Sequence, residues 1–139
     1  MKKTYTITTL ALISITLFSC ADKQKQEKDL LKDVINIHDR VMSKDELIMI
    51  NKMQLDTLMQ QTKDSTINKQ AKQLSATLDS ADSHMENWMH NFDAENKGKS
   101  HEQIMDYLND QKREITAIDS ELNASVAASS KFIKQIKSK

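Results

Sequence analysis

Imidazole and thioether side chains recur four residues apart in this chain: His38 with Met42, Met49 with Met53, Met85 with Met89, and His101 with Met105. On a helix that spacing puts both members of a pair on one face. Imidazole nitrogen and thioether sulfur suit soft ions such as Cu(I) and Ag(I) better than Mg or Ca. Folding the chain back near residue 64 sets Met89 against His38 and Met85 against Met42. A second reversal through 93–100 brings His101 and Met105 to the same end. His38, Met42, Met85, Met89, His90, His101 and Met105, with Trp88 beside them, then make one candidate soft-metal cluster. A plainer reading competes with it, because methionine is an adaptable filler of helical cores. No CxxC pair fixes a ligand set.

Catalytic arrangements are missing from the sequence. His101-Glu102 begins like HExxH, but Met105 stands where the second zinc-binding histidine belongs. His38 and Asp39 are neighbours and point to different sides of a helix. No glycine-rich loop is present to cradle phosphate, and no serine, histidine and acid share a face. We therefore expect no enzyme, no small-molecule substrate and no dissociable cofactor. Of the 20 Lys and Arg, Lys2 and Lys3 belong to the N-terminal segment, which leaves 18 against 20 Asp and Glu and a net charge of −2. Without a basic cluster there is no electrostatic footprint for nucleic acid.

Cys20 is the only cysteine, so neither a disulfide nor a zinc knuckle can form within the chain. Before it come Lys2 and Lys3, an uncharged stretch over 4–19 with an apolar core at 10–18, and Leu17-Phe18-Ser19-Cys20. That is the layout of a secretory signal. The last four residues resemble the bacterial lipobox, with an aliphatic residue at −3 and a small one at −1. The resemblance implies a signal peptide over 1–19, cleavage before Cys20, and a covalent diacylglycerol on Cys20, joined by an N-acyl chain where that step occurs. Two or more acyl chains anchor a protein stably to a membrane. Ala21 stands where an aspartate would resemble an inner-membrane retention signal, so an outer-membrane anchor facing the periplasm is expected. A spanning helix is the competing reading, but it needs about 20 predominantly apolar residues, and threonines and serine dilute this short run. Residues 20–29 are polar and read as a lipidated tether.

The elements that would position these side chains are helices. There is no proline and one glycine, Gly98, and helix formers recur throughout. Ile67, Ala71, Leu74, Leu78, Ala81, Met85, Trp88 and Phe92 step by threes and fours and share one helical face. Ile104, Leu108, Gln111, Ile115, Ile118, Leu122, Ser125, Ser129, Phe132 and Ile136 keep the same rhythm. Ser100 with Gln103 reads as a capping box. Upstream, Val34, Ile37, Val41, Ile48, Leu55 and Met59 form a stripe flanked by Leu31, Ile35, Met42, Met49 and Met53, wide enough to meet two neighbours. Asp45 and Lys52 fall on that broad face and are expected to pair or reach its rim. The predicted fold is all-α: an antiparallel three-helix bundle, up-down-up with coiled-coil-like packing, over 30–139. Its helices are expected over 28–62, 65–92 and 101–138.

His38-Asp39-Arg40-Val41-Met42, Met85 to Phe92, and Ser100-His101-Glu102 leading to Tyr107-Leu108 and Gln111-Lys112 resemble a family of small helical lipoproteins of Bacteroidota, sometimes labelled "viral A-type inclusion protein". The resemblance covers roughly 33–134. It implies an envelope address and a helical fold, and it carries no activity.

A helix over 101–138 would be about 57 Å long and one over 65–92 about 42 Å. The excess sets Phe132, Ile133 and Ile136 beyond the end of the second helix. They are expected either to be covered by the first helix and its turn, or to contact another copy or an envelope partner. Two classes of function follow: a non-enzymatic, membrane-anchored interaction or structural module, favoured, and a periplasmic Cu(I)- or Ag(I)-binding protein as the alternative.

Overall fold

The computed structural model describes residues 5–138, with side chains over 21–138. Four helices follow one another: α1 Tyr5–Met42, α2 Asp45–Gln61, α3 Ser65–Asn91 and α4 His101–Lys137, with no strand among the described residues. The expected cleavage site and the Cys20 side chain lie outside the described side chains. Among the described residues, no helix is long and apolar enough to cross a membrane.

Local chemistry sets two of the boundaries. Asp64 caps α3, its Oδ1 accepting from Thr66 N at 2.8 Å and Ile67 N at 3.2 Å, so two orphan donors of the first turn are satisfied. At α4 the capping box forms: Gln103 N donates to Ser100 Oγ at 3.3 Å and Ser100 N to Gln103 Oε1 at 2.8 Å. Ser100→Ala removes one half of this reciprocal pair. It is expected to lower stability by about 1 kcal/mol, read as a drop in urea midpoint at unchanged slope.

The expectation of one helix over 28–62 needs correction, because the helix breaks between Met42 and Asp45. Neither glycine nor proline is involved. Ser43 Oγ donates back to Arg40 O at 2.7 Å, and Lys44 N bonds to Val41 O at 2.9 Å, three residues back instead of four. Serine back-bonding and a tightened turn are recognised ways of bending a helix. The bend changes partners: α1 packs chiefly on α4, while α2 packs chiefly on α3 and less on α4.

One core unites the helices. Val34, Val41, Leu55, Ala71, Leu78, Ile115 and Leu122 are at most 2% exposed, and burying each larger side chain contributes about 1.5–3 kcal/mol. The broad apolar face expected upstream of residue 62 is only half used. Its central stripe is buried, but Ile35, Met42, Met49 and Met53 on one flank remain exposed. A polar contact threads the core, with Asn51 Nδ2 of α2 within 2.8 Å of both Ser129 Oγ and Ser130 Oγ on α4. This pins α2 to one height on α4.

The register between α3 and α4 differs from the expected one. His84 meets Glu121 and Trp88 lies beside Ile118, so α4 begins past the end of α3. Its first turns lie on α1 instead, with Ile104 and Leu108 beside Lys28 and Leu31. The linker explains the shift. Asp93 Oδ1 accepts from Glu95 N and Asn96 N, Asn96 and Gly98 take left-handed conformations with φ of 50° and 78°, and Tyr107 Oη accepts from Asp93 N at 2.7 Å. The loop therefore folds back on the second turn of α4 rather than closing a tight hairpin.

That shift overturns the expected overhang at the other end. Phe132 and Ile133 are 6% and 4% exposed. Phe132 and Ile136 lie beside Ile67 and Gln70 of α3, and Ile133 lies beside Asn51 and Gln54 of α2. Phe132 and Ile133 are thus buried within the bundle and Ile136 is half-buried against it.

Candidate functional site

Two places collect chemistry on this scaffold, both next to the break between α1 and α2. In the first, Asp119 projects from α4 into the angle of the break with its side chain 12% exposed. Arg40 Nε and Nη2 donate to its Oδ2 at 3.2 and 2.9 Å, and Lys44 Nζ donates to its Oδ1 at 2.5 Å. Burial alone would push this carboxyl up. The Lys44 and Arg40 hydrogen bonds and charges outweigh that, and the net shift is downward. Asn123 Nδ2 also donates to Oδ1 at 3.3 Å, so both carboxylate oxygens are engaged and the group ties the two helical segments to α4.

The second is a cavity of about 150 Å³ between the end of α1, the start of α2 and the later turns of α3. Val41, Ile48 and Leu122 supply an apolar floor, Met42, Met85 and Met89 bring thioethers, and Asp45, Asp82 and Glu86 stand at the edge. Burial, then the neighbouring Asp45 and Glu86 carboxylates, push the Asp82 carboxyl up. Lys52, which pairs with Asp79 of α3, offsets this only in part.

The seven-residue cluster expected from the sequence is divided by this geometry. Met42, Met85 and Met89 come together, and His38 lies one helical turn before Met42 with its ring 6.0 Å from that of Trp88. His101 is elsewhere: its Nδ1 donates to Glu27 Oε1 at 2.7 Å. Glu27 precedes His38 by eleven residues of α1, which is about 16 Å of helix rise. Met105 follows His101 along α4, and His90 is exposed on α3. The shifted α3/α4 register is the cause. Among the described residues, no group of three His, Cys, Asp or Glu could hold a metal ion.

An aromatic row runs beside the cavity. Trp88 stacks on Phe92 at 4.7 Å, Phe92 on Tyr107 at 6.3 Å, and Lys99 Nζ sits 5.0 Å from the Tyr107 ring centre. Trp88 is 4% exposed and its Nε1 has no hydrogen-bond partner. With its faces engaged, the indole is structural rather than a platform for a ligand.

No family model, curated protein or solved structure matches this chain. The sequence reading missed Asp119, Arg40 and Lys44. A signal was present, since Asp119 is four residues from Ile115 on the buried face of α4, and Arg40 and Lys44 are one turn apart. A carboxylate within an apolar stripe calls for cations on a facing helix.

Proposed function

We propose that the chain is the precursor of a non-enzymatic helical lipoprotein of the cell envelope, akin to the Bacteroidota lipoproteins it resembles. In this reading residues 1–19 direct export, Cys20 carries the diacylglycerol, and the protein is held in the outer membrane facing the periplasm. Its antiparallel up-down-up bundle, with the bent α1/α2 unit as first member, serves as an interaction module. The directions of the cross-helix pairs support that topology. Asp33 with Lys112, Arg40 with Asp119 and Gln54 with Lys137 rise together, whereas Lys52 with Asp79 and His84 with Glu121 run oppositely.

The observation that carries the interaction reading is the outer face of α2. Leu47, Met49, Ile50 and Met53 are 49%, 57%, 39% and 63% exposed within seven residues. Apolar side chains exposed side by side mark contact surfaces more often than isolated ones do, and methionine suits surfaces that adapt to a partner. The partner is a second copy or another envelope protein.

Crosslinking in intact cells, read by mass spectrometry, and fatty-acid labelling test the two parts. Met49→Glu with Met53→Glu is expected to abolish crosslinks through α2 while moving stability by about 0.5 kcal/mol or less, as surface changes do. Cys20→Ser is expected to abolish incorporation of labelled fatty acid. Crosslinks indifferent to the α2 change would remove the interaction reading, and fatty-acid labelling that survives Cys20→Ser would remove the anchor.

A further inference from the structure

We propose that Met42, Met85 and Met89 form a thioether site for one soft monovalent cation, Cu(I) or Ag(I), in the cleft where α1 ends against α3. The site is independent of the α2 contact face and uses no histidine.

Three independent features converge there. First, two helices that share no sequence proximity deliver sulfur to one cavity of about 150 Å³. Met85 and Met89 are spaced one turn apart on α3, and Met42 is the last residue of α1. Second, these methionines are not all consumed as core filler. Met85 is 3% exposed, but Met42 and Met89 are 38% and 37% exposed, so two of the three side chains are accessible from solvent. Third, Val41, Ile48 and Leu122 supply the buried part of the lining and offer no side-chain oxygen or nitrogen, so the thioethers are the soft donors of the cavity. Such donors favour Cu(I) and discriminate against Mg and Ca.

Asp45, Asp82 and Glu86 bring carboxylates to the same cavity. Burial, then the charges of Asp45 and Glu86, raise Asp82, with Lys52 as the partial counter-charge. An entering cation relieves that excess of negative charge. Attraction of this kind draws cations to the mouth, and the thioethers determine which cation stays. The bend between α1 and α2 is part of the site, because Met42 and Asp45, which flank it, both line the cavity.

The test uses the full chain in a Cys20→Ser background, so that the sole thiol does not compete, with Ag(I) as probe in chloride-free buffer. One Ag(I) per chain is expected to bind. Of the eight methionine methyls, those of Met42, Met85 and Met89 are expected to shift in ¹³C spectra. Trp88, the only tryptophan, follows Met85 by one turn, and its emission is expected to be quenched in step. Met42→Leu with Met89→Leu is expected to weaken binding by about tenfold or more, a difference of at least about 1.4 kcal/mol. Met49→Leu with Met53→Leu leaves it unchanged, and excess Zn(II) does not displace the ion. Equal responses from the two double variants, shifts spread onto Met49 and Met53, or displacement by Zn(II) would overturn the site. Met to Leu conserves volume and costs under about 1.5 kcal/mol. If circular dichroism shows the double variant unfolded, Met89→Leu alone at its half-exposed position decides the matter by the same readouts.

Discussion

Phe132→Ala is expected to cost about 3–5 kcal/mol of unfolding free energy and to leave the sedimenting mass unchanged. The ring is enclosed by α3 and by its own helix, near Ile67 and Gln70, with 6% of its surface exposed. Truncation loses the transfer free energy of the ring and leaves a void that the stiff ends of α3 and α4 cannot fill. Nothing is lost between molecules, because the residue is not on the surface. Chemical denaturation of wild type and variant, run beside sedimentation velocity, separates the two effects. A lower mass at unchanged midpoint would show that Phe132 faces a partner and that the α3/α4 register described above is wrong.

Asp119→Ala follows in size, at about 2–3 kcal/mol. Removing one member of a buried ion pair typically costs more, about 3–5 kcal/mol, but Arg40 is half-exposed and Lys44 can extend toward water along its stem. The effect depends on pH with a definite sign. Because the folded-state carboxyl titrates below its ordinary value of 3.8, its stabilisation is fully present above the unfolded pKa and is lost as pH falls through the lower, folded one. The gap between wild type and Asp119→Ala is therefore expected to be constant from pH 5 to 8, to narrow below about pH 4, and to close in stronger acid. Hydrogen exchange adds a local readout, since faster exchange at Lys44, Leu47 and Ile48 would report loosening of the bend. A gap that widens in acid would refute the assignment.

What could be read from the sequence was what is local. The α3 stripe from Ile67 to Phe92 and the Ser100/Gln103 cap each depend on residues within a turn or two, and periodicity and capping chemistry expose them. The bend at Ser43 and Lys44 could not be read this way. Its local signature is a serine without glycine or proline, and the carboxylate that holds it, Asp119, is 75 positions from Lys44. The α3/α4 register was hidden for a related reason. A loop that folds onto Tyr107 and uses left-handed Asn96 displaces every facing pair by several residues, which separated His101 from Met89 and buried Phe132. The thioether set was legible only in part: spacing identified Met85 and Met89 and their opposition to Met42, but His101 and Met105 were added on a register that does not exist.

The pairing of α1 and α2 with α4 has a temporal consequence. Glu27, Asp33, Arg40, Lys44 and Asn51 all find partners 74 to 79 positions further on, while α2 with α3 and α3 with α4 close much shorter loops. Chain entropy makes the long closures the later ones. A polypeptide made from its N-terminus must therefore carry α1 with its apolar stripe and its cations unmatched until α4 has been synthesised. The first helix to emerge is the last to be satisfied, and that interval is when the nascent chain most needs an escort.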